Sequence, residues 1–344
     1  MSPPRPPQTV LAVRLDSVGD VLIIGPAVRA MAAGSDKLIM LCGPQGAPAA
    51  RLLPGVDQIV QWEAPWIAAS PPAVDPGSFG SLVRQLSALR IDRAVIFTSF
   101  HQSALPTALM LRLAGIAHVA AISEDYPGSL LDVRHRLSDD LPEAERALSL
   151  ARASGFTLPP GDEGLLRVNE PLPDVSPLLE TLQSQRYVVV HPGCSAPART
   201  WPPAKFGSAV QQLIKRGRRV VVTGSASERQ LTATVADGIA LDLGGKTELS
   251  QTAAVLKGAQ ALVVGNTGPA HLAAAVGTPV VSLFAPTVPS LRWSPYRVPT
   301  VLLGDQDAPC AGSRAVHCPV PGHPCLNSVT ADQVVRAVEE LAPV

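Results

Sequence analysis

ALVVGNTGPAHLAAAVGTPVVSLFAPT, residues 261–287, sets a strand, a glycine turn, a helix of small residues and a second strand end to end. ALVV runs unbroken and apolar into Gly265, as a buried strand does. Gly265-Asn266-Thr267-Gly268 makes the turn, and Pro269 suits the first turn of a helix, where a missing N–H is no loss. Ala270 to Val276 is small enough for close packing, Gly277 stops the helix, and Thr278 to Phe284 returns as a strand. Two parallel strands joined by a helix form a βαβ unit, and open sheets of such units bind ligands at the carboxyl ends of their strands. Asn266, Thr267, Gly268 and His271 lie at such an end. The unpaired N–H groups and positive dipole end of the helix that starts there suit a phosphate.

The same alternation extends in both directions. Thr9 to Leu15 reads as a strand, Asp16 to Asp20 (DSVGD) as a loop, and Val21 to Ala33 as a helix with a kink or late start at Gly25-Pro26. Strands follow at Lys37 to Cys42, Gln58 to Gln61, Asp92 to Phe97 and His118 to Ile122, with helices at Phe79 to Leu89, Pro106 to Ala114 and Glu143 to Ser154. SEDYPGSLLDVRH, 123–135, reads as loop. A second cycle opens with the strand Tyr187 to His191 and closes with a helix from Thr330 to Leu341, whose Thr330 and Gln333 are spaced as a capping box. The fold class is therefore α/β, with two Rossmann-like domains. The first spans 1–162, a Pro- and Gly-rich linker 163–185, and the second 186–328. The closing helix, 329–344, is expected to pack back on the first domain.

Composition removes several function classes. Lys+Arg and Asp+Glu balance at 28 each in 344 residues, so no overall basic field exists to hold a nucleic acid or an anionic membrane. Five cysteines are an odd, sparse set that fits reduced thiols and a cytosolic enzyme. MSPPRPPQ at the start lacks the apolar core of a signal peptide, and every apolar run stops well short of the roughly 20 residues that cross a bilayer. A soluble, cytoplasmic monomer is expected, with contact at the inner membrane surface left open.

Several catalytic signatures are missing. No G-x-G-x-x-G follows the first strand, which removes the main support for a dehydrogenase. Gly244-Gly245-Lys246-Thr247 imitates the end of a P-loop, but Ala240 stands where its first glycine belongs. No H-E-x-x-H, G-x-S-x-G or acidic metal cluster occurs, and no metal is expected. Cys310, His317, Cys318, His323 and Cys325 fall within sixteen residues, yet no C-x2-C pair is among them, so a reduced loop is the default over zinc.

Two further stretches carry candidates. His191-Pro192-Gly193 turns sharply out of a strand, and N–H groups after the turn, with Ser195 and the guanidinium of Arg199, could face a phosphate. Asp20 follows Gly19 at the carboxyl end of the first strand. An Asp there is most often a helix N-cap; the functional alternative is a carboxylate facing a cleft between the domains, with Asp16 as its rival.

Taken together, VLAVRLDSVGDVLIIGPAVRAM, HPGCSAPARTWPPAKFGSAV, VVTGSASERQ and GNTGPAHLAAAVGTPVVSLFAPTVPSLRWSPY resemble glycosyltransferase family 9, the ADP-heptose:lipopolysaccharide heptosyltransferases. The resemblance runs from Val10 to the final helix and implies the GT-B arrangement, two Rossmann-like domains facing across a cleft. It implies Asp20 as catalytic base, Ser195 and Arg199 as phosphate contacts, and Glu228 as the holder of the ribose hydroxyls. Thr267 and Gly268 would offer N–H groups to the diphosphate, with His271 nearby. Asn266 departs from the pattern, since an Asp usually stands there to contact donor sugar hydroxyls; a neutral amide takes its place. The TSFHQSALP loop would meet the acceptor, through Thr98, Ser99, His101 and Gln102.

The implied activity is inverting transfer of a sugar, heptose from ADP-heptose before others, to a glycan, lipid-linked or small-molecule hydroxyl. The alternatives are a GT-B transferase or epimerase for another nucleotide sugar, and a nucleotide-binding module without catalysis.

Overall fold

The computed structural model describes residues 8–68, 70–137, 140–183 and 185–343. The proline-rich start, read above as lacking an export signal, lies outside the described residues through position 7. The chain divides into two compact units, Met1–Val168 and Asn169–Val344, each with its own core.

The first unit runs β1 (Thr9–Arg14), α1 (Val18–Ile23), α2 (Gly25–Ala33), β2 (Lys37–Cys42), α3 (Ala47–Ala50), β3 (Gln58–Gln61), α4 (Pro76–Ala88), β4 (Arg93–Ile96), α5 (Leu105–Leu113), β5 (His118–Ile122), β6 (Val133–His135) and α6 (Glu143–Ala153). All its strand pairs are parallel, in the order β3-β2-β1-β4-β5-β6. Val10 to Val13 are wholly buried, because helices cover both faces of a parallel sheet; this is why its inner strands read as continuous apolar runs.

The second unit repeats the scheme with β7 (Tyr187–His191), α7 (Pro203–Lys215), β8 (Arg219–Val222), α8 (Arg229–Ala236), β9 (Leu241–Asp242), α9 (Leu249–Lys257), β10 (Leu262–Gly265), α10 (Gly268–Val276), β11 (Val280–Leu283), α11 (Ser290–Trp293), β12 (Thr300–Leu303), α12 (Pro324–Asn327) and α13 (Ala331–Leu341). Its parallel order is β12-β11-β10-β7-β8-β9. Numbered from its own first strand, each sheet has the order 3-2-1-4-5-6 of dinucleotide-binding folds. The chain reverses direction across the sheet between strands 1 and 4, so a crevice opens at their carboxyl ends. Those ends are β1 and β4 in the first unit, and β7 and β10 in the second.

Three local readings are corrected. The first helix begins at Val18, not Val21: Ser17 is the N-cap, and Asp20 sits three residues in as its capping-box partner. Residues 123–135 are not all loop, since Val133–His135 adds β6 as an edge strand beside β5. The closing helix, expected against the first domain, buries its apolar face in the second unit's own core. Val334, Val335, Ala337 and Val338 are buried in the second unit's core, where α13 packs on α7, β11 and β12.

Candidate functional site

At the carboxyl end of β1, Arg14 is a charged residue at the end of an apolar strand and is 1% exposed. Its Nε lies 2.8 Å from Asp16 Oδ2, and its Nη2 lies 2.9 Å from Asp20 Oδ1 and 2.8 Å from Ser99 Oγ. A buried guanidinium left unpaired would be very costly, so these contacts fix both carboxylates. Asp20 Oδ2 also accepts from Ser17 Oγ at 2.7 Å, which orients the carboxylate from the other side.

The loop after β4 braces the arrangement. Gln102 Nε2 donates to Asp16 Oδ1 at 2.6 Å, while its Oε1 accepts from the Ser99 N–H at 2.9 Å. Arg146 on α6 donates to the Thr98 carbonyl at 2.6 Å. Burial opposes the charge on Arg14, but Asp16, Asp20 and Glu143 outweigh it and hold the Arg14 pKa above its ordinary value. Burial pushes Asp16 up to about 6; Arg14 works against the rise and the charge of Asp20 adds to it. Asp20 keeps 19% of its side chain exposed, against 11% for Asp16.

Of the four residues expected to meet an acceptor, Ser99 and Gln102 belong to this network. The Thr98 hydroxyl is buried without a hydrogen-bond partner, and His101 is exposed beside Phe100. A cavity of about 200 Å³ opens beside them, lined by Phe100, His101, Gln102, Ile122, Glu124 and Arg146.

The second unit builds its own site at β7 and β10. After His191 the chain passes Gly193, Cys194 and an exposed Ser195 into a single turn, Pro197–Arg199. A Cβ on Gly193 would come within 2.0 Å of Glu228 Oε1, so only glycine lets that carboxylate lie against the turn. A Cβ on Gly265 would meet the Arg199 carbonyl at 2.9 Å, so the Arg199 turn passes closely over the end of β10. The Cys194 thiol lies beside Thr267; burial raises its pKa, and the Ala196 backbone, the Arg199 charge and Thr267 work against the rise. Burial lowers the His191 pKa, against the pull of Glu228, and its Nδ1 lies 3.0 Å from Thr223 Oγ1.

Thr267 is the N-cap of α10, so Gly268, read above as the end of the turn, opens the helix. Asn266 is 7% exposed, and neither its Oδ1 nor its Nδ2 has a hydrogen-bond partner; Arg199 Nε is likewise buried and unpartnered. Unsatisfied buried polar atoms cost free energy, and here they lie on the turn after β10 and on the Arg199 turn that passes over the end of that strand. His271, 6% exposed on α10, lies 6.5 Å from the Trp293 ring. Glu228 closes a capping box with one oxygen, Oε2, which accepts from the Ser225 N–H at 2.7 Å and its hydroxyl at 2.8 Å.

Sequence reasoning missed Arg14, Glu143 and Cys194. A lone Arg ending an apolar strand was the available signal for the first; the others are silent until the strands are ordered. The P-loop imitation is occupied otherwise: Lys246 Nζ donates to the Asp242 carbonyl at 2.7 Å. Among the described residues, no group of three or more His, Cys, Asp or Glu is placed to hold a metal, and no helix is long and apolar enough to cross a membrane.

The family model for glycosyltransferase family 9 (heptosyltransferase) matches residues 79–322. The chain is similar to lipopolysaccharide heptosyltransferase 2 of Escherichia coli K12, 28% identical over 243 residues, covering 63% of this chain and 66% of that one. It is 32% identical over 220 residues to lipopolysaccharide heptosyltransferase 1 of Pseudomonas aeruginosa, covering 61% and 59% of the two. The matched stretch thus spans about two thirds or less of each relative's length. The structure of E. coli ADP-heptose lps heptosyltransferase II superposes with a TM-score of 0.74 over 97% of this chain and 98% of that one; at 20% identity the likeness speaks for the fold alone. A model that matches most of the chain settles membership: the chain belongs to glycosyltransferase family 9.

Proposed function

We propose that the protein is an inverting glycosyltransferase that moves a sugar from an ADP-sugar, ADP-heptose before others, to a hydroxyl of a cell-envelope glycan such as lipopolysaccharide. The observation that carries this reading is the gathering of Arg199, Cys194, Thr267, Glu228 and the unpartnered Asn266 amide at one switch point. A diphosphate would lie on the N-terminus of α10 with Arg199 as counter-charge, and the ribose would reach Glu228 Oε1. The similarity to lipopolysaccharide heptosyltransferases, and in fold to an ADP-heptose lps heptosyltransferase of E. coli, supports the same donor.

The first unit supplies the base. The acceptor hydroxyl attacks the anomeric carbon as the bond from that carbon to the diphosphate oxygen breaks on the opposite face. Asp20 Oδ takes the proton of the hydroxyl, which turns acidic only as the new bond forms. Ser17 and Arg14 keep Asp20 aimed, and the cavity beside His101 would seat acceptor hydroxyls. The charge on the leaving ADP is met by Arg199 and the α10 dipole, so the transfer is expected to run without a resident metal.

Asn266 favours keeping a second donor sugar under test, because a neutral amide would bind sugar hydroxyls less selectively than a carboxylate. The deciding experiment is competitive binding of ADP, UDP and GDP, followed by turnover of a panel of ADP-sugars. Preference for ADP together with transfer from ADP-heptose is the expected result. Equal binding of all three nucleotides would overturn the donor assignment.

A further inference from the structure

Beyond β12 the chain returns over the carboxyl end of the second sheet as a strap, residues 305–325. Its outgoing arm is held by the loop after β11: Gly312 N donates to the Pro286 carbonyl at 2.8 Å and Arg314 N to the Thr287 carbonyl at 2.7 Å. Its return arm grips the turn after β7. Ala198 N donates to the Val316 carbonyl at 2.9 Å, and His323 Nε2 lies 3.0 Å from the Ala198 carbonyl oxygen. Strands β11 and β7 flank β10, so the strap ties together the loops on either side of the strand that carries Asn266 and Thr267.

Ala198 is 1% exposed, which denies its backbone groups water; both are satisfied by the strap. A carbonyl only accepts, so His323 must carry its proton on Nε2. The backbone of His323 is held at φ 48°, a left-handed conformation that a residue with a Cβ adopts only when its surroundings require it. The base of the strap is closed by Cys310 and Cys325, both buried in the second unit's core, and by Asp305 N donating to the Cys325 carbonyl at 3.0 Å. Further along, Trp201 Nε1 and Lys205 Nζ both donate to the Val329 carbonyl, at 3.2 and 2.9 Å, which anchors the start of α7 to the segment after the strap.

The residue after Ala198 is Arg199. We propose that His323 is a positioning residue for donor binding: by holding the Ala198 carbonyl it sets the turn that aims the Arg199 guanidinium at the donor's diphosphate. The inference rests on the assignment of Arg199 to that diphosphate. It gives the strap, which the sequence offered only as a cysteine-containing loop, a defined task.

The test uses the full chain and ADP as the probe, followed by calorimetry, with His323→Asn and His323→Gln in wild-type and Arg199→Ala backgrounds. Asn tolerates left-handed backbone but is too short to reach Ala198, so folding is kept while the bond is lost; Gln places a donor at the right distance. His323→Asn should weaken ADP binding roughly tenfold, the scale of one buried hydrogen bond, and raise the donor KM more than it lowers kcat. His323→Gln should restore binding to within about threefold, and His323→Asn should add nothing once Arg199 is Ala. Unchanged ADP affinity in His323→Asn, no rescue by Gln, or an equal loss in the Arg199→Ala background would each overturn the proposal. If Arg199→Ala itself binds ADP like wild type, the donor-site reading fails and takes the proposal with it.

Discussion

Arg14 Nη2 sits 2.9 Å from Asp20 Oδ1, and the guanidinium is buried to 1% exposure, so the carboxylate is clamped by a charge that has no access to water. Replacing Asp20 leaves Arg14 its contact with Asp16, and the fold should survive. Asp20→Asn is expected to lower turnover by about 10² or more, the usual scale for losing a general base, with the melting temperature little changed. Initial rates and thermal unfolding of the same preparation check this; wild-type turnover would remove Asp20 as the base.

Asp16 titrates near 6 because it is buried next to the charge of Asp20, with Arg14 opposing. Around it also stand Gln102, which donates to it, and the Glu143 charge. Protonating Asp16 leaves Arg14 more fully for Asp20 and makes that carboxylate a poorer base, so kcat/KM should fall as pH drops through about 6. Asp16→Asn should move this acid limb to lower pH. In stability the sign follows from a raised folded pKa: the contribution is present below the ordinary pKa of 3.8 and lost as pH rises through about 6, and the Asn variant should lack that slope.

Gly193 has no room for a methyl group, since Glu228 Oε1 would lie 2.0 Å away. In Gly193→Ala the Glu228 side chain must swing out, losing its hold on Ser225 and its reach to a ribose. ADP binding is expected to weaken by about tenfold, on the scale of one or two hydrogen bonds, while binding of inorganic pyrophosphate stays as it was. Calorimetry with both ligands separates a ribose effect from a phosphate effect.

Asp162 makes a two-point contact with Arg29, 2.6 Å from Nε and 2.9 Å from Nη2, with both side chains 7% exposed. These hydrogen bonds hold the Asp162 carboxyl down to about 2, against burial. Such a contribution is present above the ordinary carboxylate pKa and lost as pH falls through the folded value. Asp162→Ala strands a buried guanidinium and should cost the first unit about 3 to 5 kcal/mol at neutral pH. Urea unfolding should show the gap between variant and wild type narrowing below about pH 4.

Most strands were legible because a parallel sheet covered on both faces needs unbroken Val, Ile and Leu, as YVVVH and KLIMLC supply. β6 was not, because VRH lies at an edge, where half-exposed polar residues carry no such signal. The start of α1 was misread because Val18 and Gly19 have no helical periodicity; the helix begins there since Ser17 and Asp20 cap one another. The corners at Asp20, Arg199 and Thr267 were legible as turns after strands, while the strap's grip on Ala198 was not, since its partners are 125 residues apart.

The sequence by itself determined the alternation of strand and helix, the two-unit division and the chemical types gathered at the strand ends, because these depend on local pattern and turn chemistry. Only the tertiary structure decided which ends become neighbours. Placing β4 beside β1 brings Ser99 to Arg14 and Gln102 to Asp16 across separations of 85 and 86 residues, and placing β10 beside β7 brings Thr267 to Cys194. Strand order is set by how whole helices pack on a sheet, a property of the completed core that no window of sequence contains.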